Sequence, residues 1–189
     1  MEWVGIGGEN DTNPLEQVGT EQECLSGQYR SYGFYQFWPS QQNGSDFPFS
    51  FSAGDEISAS VQFLNSSGYF GFQLRDLNST SSRVYLVEHA ADYSFNLKSA
   101  EWVVEAPTFG NTRHALPNFG LVEFKQCLAV VGNSTVSISN TLRTGFMLRP
   151  TWYICNGVKM ATYSSINDKT AGFVVSWLNS GQCVTEQSG

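Results

Sequence analysis

Two short segments of this sequence carry amide and carboxyl groups at a spacing that strand geometry would turn to one side. Successive side chains of an extended strand point to opposite faces. In Leu15 to Glu21 that alternation groups Leu15, Gln17, Gly19 and Glu21. In Glu101-Trp102-Val103-Val104-Glu105 it sets Glu101, Val103 and Glu105 against Trp102 and Val104. Such strands suit a sheet with one face on a wet cleft and the other on a core, although plain solvent-facing residues would give the same alternation. Glu101 and Glu105 cannot work as a pair. At a rise of roughly 3.3 Å per residue they stand about 13 Å apart. That exceeds the roughly 5 to 9.5 Å of carboxylate pairs in glycoside hydrolysis and forbids a shared proton. If Glu105 is catalytic, its partner comes from another strand.

Other hydrolytic chemistries lack their residues. Neither G-x-S-x-G nor H-E-x-x-H occurs, so serine nucleophiles and zinc-bound water have no motif. His89 and His114 are the two histidines and read as ordinary polar residues. Cys24, Cys127, Cys155 and Cys183 show no C-x-x-C spacing, which disfavours zinc, and no metal or other cofactor is expected. At least one disulfide is expected, with free buried thiols as the alternative; the three pairings that four cysteines permit stay open.

The segments that must position these groups are short, β-rich and separated by turn residues. They run from Trp3 to Ile6, Leu15 to Thr20, Tyr32 to Trp38, Glu56 to Phe63, Tyr69 to Leu74 and Arg83 to Glu88. Further runs are Glu101 to Glu105, Gly120 to Cys127, Thr135 to Ser139, Thr151 to Cys155 and Ala171 to Trp177. Asn65-Ser66-Ser67-Gly68 reads as a hairpin turn between two of them. Helical periodicity is nowhere sustained, so the pattern predicts an all-β fold, an antiparallel β-sandwich or jelly roll. At 189 residues the chain fits a single domain, 1–189.

Seventeen acidic against ten basic side chains give a formal charge of −7, which argues against a phosphate-binding surface and nucleic acid. With so few Lys and Arg, only modest positive charge remains once carboxylates protonate, so acid tolerance is consistent with the composition. No apolar run approaches the roughly 20 residues that span a bilayer, and the start Met1-Glu2-Trp3-Val4-Gly5 has no signal-peptide character. Asn10, Asn43, Asn65, Asn78 and Asn133 each begin N-x-S/T, which mildly favours a secreted protein whose targeting segment is absent from this chain.

A larger pattern joins these segments. Trp3-Val4-Gly5-Ile6, Leu15-Glu16-Gln17-Val18-Gly19-Thr20-Glu21-Gln22, Tyr35-Gln36-Phe37-Trp38-Pro39 and Ala100-Glu101-Trp102-Val103-Val104-Glu105-Ala106-Pro107 follow in order. Leu116-Pro117-Asn118-Phe119-Gly120 and Phe173-Val174-Val175-Ser176-Trp177 come after them. The set resembles the glutamic peptidase (eqolisin) family over nearly the whole chain. The resemblance implies a concanavalin-like sandwich of two large antiparallel sheets, with a catalytic Gln and Glu, here Gln17 and Glu105, meeting on the concave face of one sheet and expected from neighbouring strands. It implies substrate-lining or supporting roles for Trp3, Glu21, Phe34, Gln36, Trp38 and Glu101. It also implies a secreted, pepstatin-insensitive acid endopeptidase, expected to be monomeric, with polypeptide as its substrate and no membrane partner.

Three departures bear on that expectation. Gln36 stands where the family usually has Glu, and Gly7 and Gly8 stand where an acidic residue often follows the W-V-G-I segment. The family's first N-terminal strand or strands have no counterpart. A catalytically impaired relative acting as a binding module is therefore an alternative, as is a carbohydrate-binding jelly roll, although close carboxylate spacing of the E-x-D-x-E kind is missing. The stretch from Trp38 to Pro48, rich in turn residues, is expected to be an exposed loop beside the cleft.

Overall fold

In the computed structural model the described residues are 1–8, 13–41, 43–49, 51–79, 83–90, 95–106, 108–109, 112–113, 116–139, 154–155 and 158–179. Among them the chain is an antiparallel β-sandwich protein without α-helix. The contacts divide it into two units, residues 1–103 and 104–189.

The first unit holds β1 (Glu2–Gly7), β2 (Leu15–Leu25), β3 (Gln28–Trp38), β4 (Ser45–Phe47), β5 (Ile57–Asn65), β6 (Tyr69–Asp76), β7 (Arg83–His89) and β8 (Ala100–Val104). One sheet has the order β4-β3-β2-β1-β8 and the other β5-β6-β7. Strand alternation explains why they stack. Val18, Tyr35 and Phe37 share the face of the first sheet opposite Gln17, while Phe70, Phe72 and Leu74 recur every second residue of β6. Val18, Phe37, Phe47, Phe49, Phe70, Phe72 and Leu74 are buried together as the core. The Phe72 ring centroid lies 5.2 Å from that of Tyr35 and 5.4 Å from that of Phe37, within the range of favourable aromatic pairs.

β2 and β3 run further than their apolar stretches predict, pairing without a break from Leu15↔Trp38 to Leu25↔Gln28. The turn explains the length. Ser26 and Gly27 both have positive φ, 51° and 76°, the two-residue hairpin geometry whose twist matches that of paired strands. The hairpin read at Asn65 to Gly68 is present, with Gly68 N–H donating to Asn65 O at 3.0 Å.

The second unit holds β9 (Thr108–Phe109), β10 (Thr112–Arg113), β11 (Leu121–Phe124), β12 (Leu128–Val131), β13 (Ser134–Ser137), β14 (Ile154–Cys155), β15 (Val158–Lys159), β16 (Ala161–Tyr163) and β17 (Phe173–Trp177). Its largest sheet is β11-β17-β16. Ala106, Leu116 and Met160 are buried with Phe119, Ala161 and Trp177 packed on them. Trp177 Nε1 donates to Leu116 O at 3.2 Å, tying together two of the segments that carry the family resemblance. Cys24 is an exposed free thiol. Cys127 is free and buried, and burial pushes its thiol up to about 12. Cys183 and the Cys155 side chain lie outside the described residues, and with them the remaining pairing.

Candidate functional site

One face of the five-stranded sheet gathers most of the residues singled out from sequence. Gln17 on β2 sits in register with Gly5 on β1 and Gln36 on β3. Directly paired residues of antiparallel strands project to the same side. The same face carries the row Trp3, Gly19 and Phe34 and the pair Glu21 and Tyr32. The alternation read from Leu15 to Glu21 is therefore realised.

Gln17 is 4% exposed. Its Nε2 donates to Gln36 Oε1 at 2.5 Å, and its Oε1 is buried with no partner among the described residues. An unsatisfied buried acceptor costs about 1 to 3 kcal/mol, so the carboxamide is held at one end and ready to accept a hydrogen bond at the other. Gln36 Nε2 in turn donates to Gln41 O at 2.9 Å. Gln41 lies in the stretch after Trp38, which is exposed at Pro39, Ser40, Asn43 and Gly44 and includes a cis Trp38–Pro39 bond, but the loop expected as far as Pro48 is interrupted by β4, where Phe47 is buried. Sequence reading misses Gln41, because it acts there through a backbone carbonyl that no residue type announces.

Glu21 is 7% exposed, with Oε1 buried. Tyr32 donates a side-chain hydrogen bond to it, and the phenol is pushed up by burial first and then by the Glu21 carboxylate. Trp3 and Phe34 are 6% and 2% exposed and pack with Leu15, against which Val103 of β8 is also placed. Both aromatic side chains are thus packed parts of this face. Trp38, 38% exposed, is the accessible aromatic of the predicted set.

Gly7 and Gly8 take φ of 88° and 78°, in the left-handed region where side chains are disfavoured. A Cβ on Gly8 would come within 3.2 Å of both carboxylate oxygens of Glu101. The carboxylate beside this turn is thus supplied by β8. Ser99 fastens that strand to β1, its Oγ donating to Gly7 O at 2.7 Å and its carbonyl accepting from Gly7 N at 3.1 Å.

The strand order corrects one expectation. β1 lies between β2 and β8, so the strand carrying Gln17 and the strand that leads into Glu105 are not immediate neighbours. The residue of β1 in register with Gln17 is Gly5, which raises no side chain beside it. Glu105 follows the last residue of β8.

A carboxyl group missed from sequence lies on the opposite face of β2. Glu16 is 1% exposed, in register with Ile6 and Phe37. Its Oε2 is buried without a partner among the described residues, and burial raises its pKa to about 8 against the lowering effect of its backbone hydrogen bond. His89 has a structural place: its ring stacks on Tyr69 at 4.5 Å and its Nε2 lies 2.7 Å from Ser67 O. His114 lies outside the described residues. Among the described residues, no three His, Cys, Asp or Glu side chains converge as a metal ion would require.

Comparison with known proteins bears on what this face is for. The model of the Peptidase A4 family matches residues 1–174. Aspergillopepsin-2 of Aspergillus niger is 27% identical over 143 residues, 73% of this chain and 48% of that protein, so the chain spans about half the length of that curated relative. The crystal structure of aspergilloglutamic peptidase from Aspergillus niger matches with a TM-score of 0.76 at 23% identity, covering 94% of this chain and 97% of that one. At that identity the structural likeness speaks for the fold.

Proposed function

The chain belongs to the Peptidase A4 family, the glutamic peptidases, and from that premise we propose that it is an acid endopeptidase in which Glu105 activates water and Gln17 stabilises the oxyanion. Water attacks the peptide carbonyl as its proton passes to the Glu105 carboxylate, and the same proton then goes to the departing amine. No covalent intermediate forms. The Gln17 amide bears one N–H beyond the one given to Gln36, available to the developing oxyanion, and its Oε1 can accept from the attacking water.

The observation that carries this reading is the Gln17 carboxamide, almost fully buried and anchored through Nε2, with its Oε1 unpartnered among the described residues and its face in register with Gly5. On the strand that leads into Glu105, Val103 packs on the Trp3, Leu15 and Phe34 cluster of that face. The substrate is an unfolded polypeptide, and the working environment is extracellular and acidic.

Digestion of an unfolded protein at pH 3 to 4 with pepstatin present tests the proposal. Proteolysis is expected to persist, since the paired aspartates that inhibitor targets play no part here. Glu105→Gln is expected to lower kcat by roughly 10²- to 10⁴-fold, and Gln17→Ala by roughly 10²- to 10³-fold. A well-folded Glu105→Gln variant with undiminished activity would show that the residue is not the base.

A further inference from the structure

We propose that Gln41 is a positioning residue for the Gln17 amide, acting through Gln36 to fix which atom of that amide is turned to substrate. The proposal rests on the reading of Gln17 as the oxyanion donor. Donor and acceptor identities set the order of the row. Gln41 O is a backbone carbonyl and can only accept, so the atom of Gln36 that meets it at 2.9 Å is Nε2. Gln36 must then present Oε1 to β2, and an acceptor there selects Nε2 of Gln17 at 2.5 Å. Gln17 Oε1 is thereby directed away from β3, where it is buried without a partner among the described residues. Reversing any one amide would set two donors or two acceptors face to face, so the carbonyl at position 41 determines the orientation of the whole row.

That carbonyl is itself held at three points. β4 pairs with β3 at Gly33 to Tyr35, and beyond Tyr35 the same edge of β3 is covered by Gln41. Its backbone N–H donates to Phe37 O at 2.7 Å and its Oε1 accepts from Phe37 N at 3.1 Å. Its Nε2 donates to Ser45 Oγ at 2.5 Å, fastening the turn to the start of β4. Side chain and backbone of one residue thus brace the acceptor from which the row starts. Every side chain in the row is a neutral amide, so the hold does not titrate across the acid range.

Gln41→Ala keeps the backbone carbonyl and removes two of its braces; Gln36→Glu keeps the shape of the row and makes it titrate. While protonated, the carboxyl group introduced by Gln36→Glu can donate to Gln41 O and accept from Gln17, whereas once ionised it cannot donate. The measurements are kcat and KM on an unfolded protein between pH 3 and 6, thermal melting, and the side-chain amide NMR resonances of Gln17, assigned by their loss in Gln17→Ala. Gln41→Ala is expected to lower kcat by about 10- to 10²-fold with KM within about threefold, and to shift the Gln17 resonances. Gln36→Glu is expected to match the parent at pH 3 and to fall away as its carboxyl ionises, more steeply than the parent does. Wild-type kcat together with unmoved Gln17 resonances in folded Gln41→Ala would overturn the proposal. Should Gln17→Ala and Glu105→Gln leave proteolysis intact, the parent reading fails instead, and the Gln17 resonances alone then decide whether Gln41 orients the amide.

Discussion

Gln17 is the residue whose chemistry is most constrained by its surroundings, because Gln36 Oε1 accepts from it and only 4% of it is exposed. Gln17→Glu is therefore a sharper probe than truncation. A protonated carboxyl group can still donate to Gln36 Oε1, but an ionised one would set oxygen against oxygen in a buried site and, in the mechanism proposed above, oppose the developing oxyanion. Residual activity in Gln17→Glu is expected only at low pH, vanishing as the new side chain ionises. A pH–rate profile parallel to the parent's up to pH 6 would contradict this assignment. Alternation alone places Gln17 with Glu21 on one face, and the ordered family segments single it out. Gln36 is visible only as a departure from the family's Glu. The row of amides gives that departure a physical sense, since a Gln can accept from Gln17 and donate to Gln41 O at any pH. Position 41 itself is illegible, because sequence patterns report side chains and this contribution comes from a backbone carbonyl.

At the scale of the strands, two glycines of one sheet face separate folding from function. A Cβ on Gly19 would run into the backbone oxygen of Glu2 and lie 2.6 Å from Trp3 Cβ, contacts that only a shift of β1 against β2 could relieve. Gly19→Ala is expected to destabilise by at least the roughly 1 to 3 kcal/mol of an overpacked core, read from urea denaturation. A Cβ on Gly5 meets chiefly Leu15 Cδ1 at 2.7 Å, the far end of a flexible side chain. Gly5→Ala is accordingly expected to fold with a loss under about 1.5 kcal/mol. It should still lose activity by about tenfold or more, because the added methyl stands beside Gln17 in register and a small misplacement of reacting groups costs up to about 10²-fold. Equal stability losses in the two variants would refute that distinction. Most strands are legible as alternating apolar runs, yet β4, three residues at Ser45–Phe47, reads as loop, since three residues carry no period. The position of β1 between β2 and β8 is illegible as well, because strand order depends on long-range pairing that local patterns do not encode. In the core, Phe72 is fully buried against Tyr35 and Phe37, and Phe72→Ala is expected to cost about 3 to 5 kcal/mol.

For the molecule as a whole, two separable features bear on stability in acid, one diffuse and one local. The diffuse part is the small number of basic side chains, ten against seventeen acidic, which limits self-repulsion once carboxylates are protonated. The local part is Glu16, a carboxyl group on the core face of β2 beside Phe37. Its position is legible in principle, since alternation places it with Val18, opposite Gln17, and a charged residue at a core position is a signal in itself. Burial raises its pKa from 4.5 to about 8, so the folded chain binds this proton more tightly than the unfolded chain does. Linkage then sets the sign. The stabilisation is fully present below pH 4.5 and is lost as pH rises toward 8, by an upper bound of about 5 kcal/mol over that window. Glu16→Gln keeps the shape and removes the titration, so its stability is expected to stay nearly flat between pH 5 and 8 while the parent's declines. Glu16→Leu, an apolar side chain on the core face in register with Ile6 and Phe37, is expected to gain most over the parent near pH 8 and least near pH 4. Urea denaturation midpoints from pH 4 to 8 measure both differences. Parallel profiles for the parent and Glu16→Gln would mean that the neutral-pH loss belongs to other carboxylates, and that Glu16 is accommodated in the core as an ion.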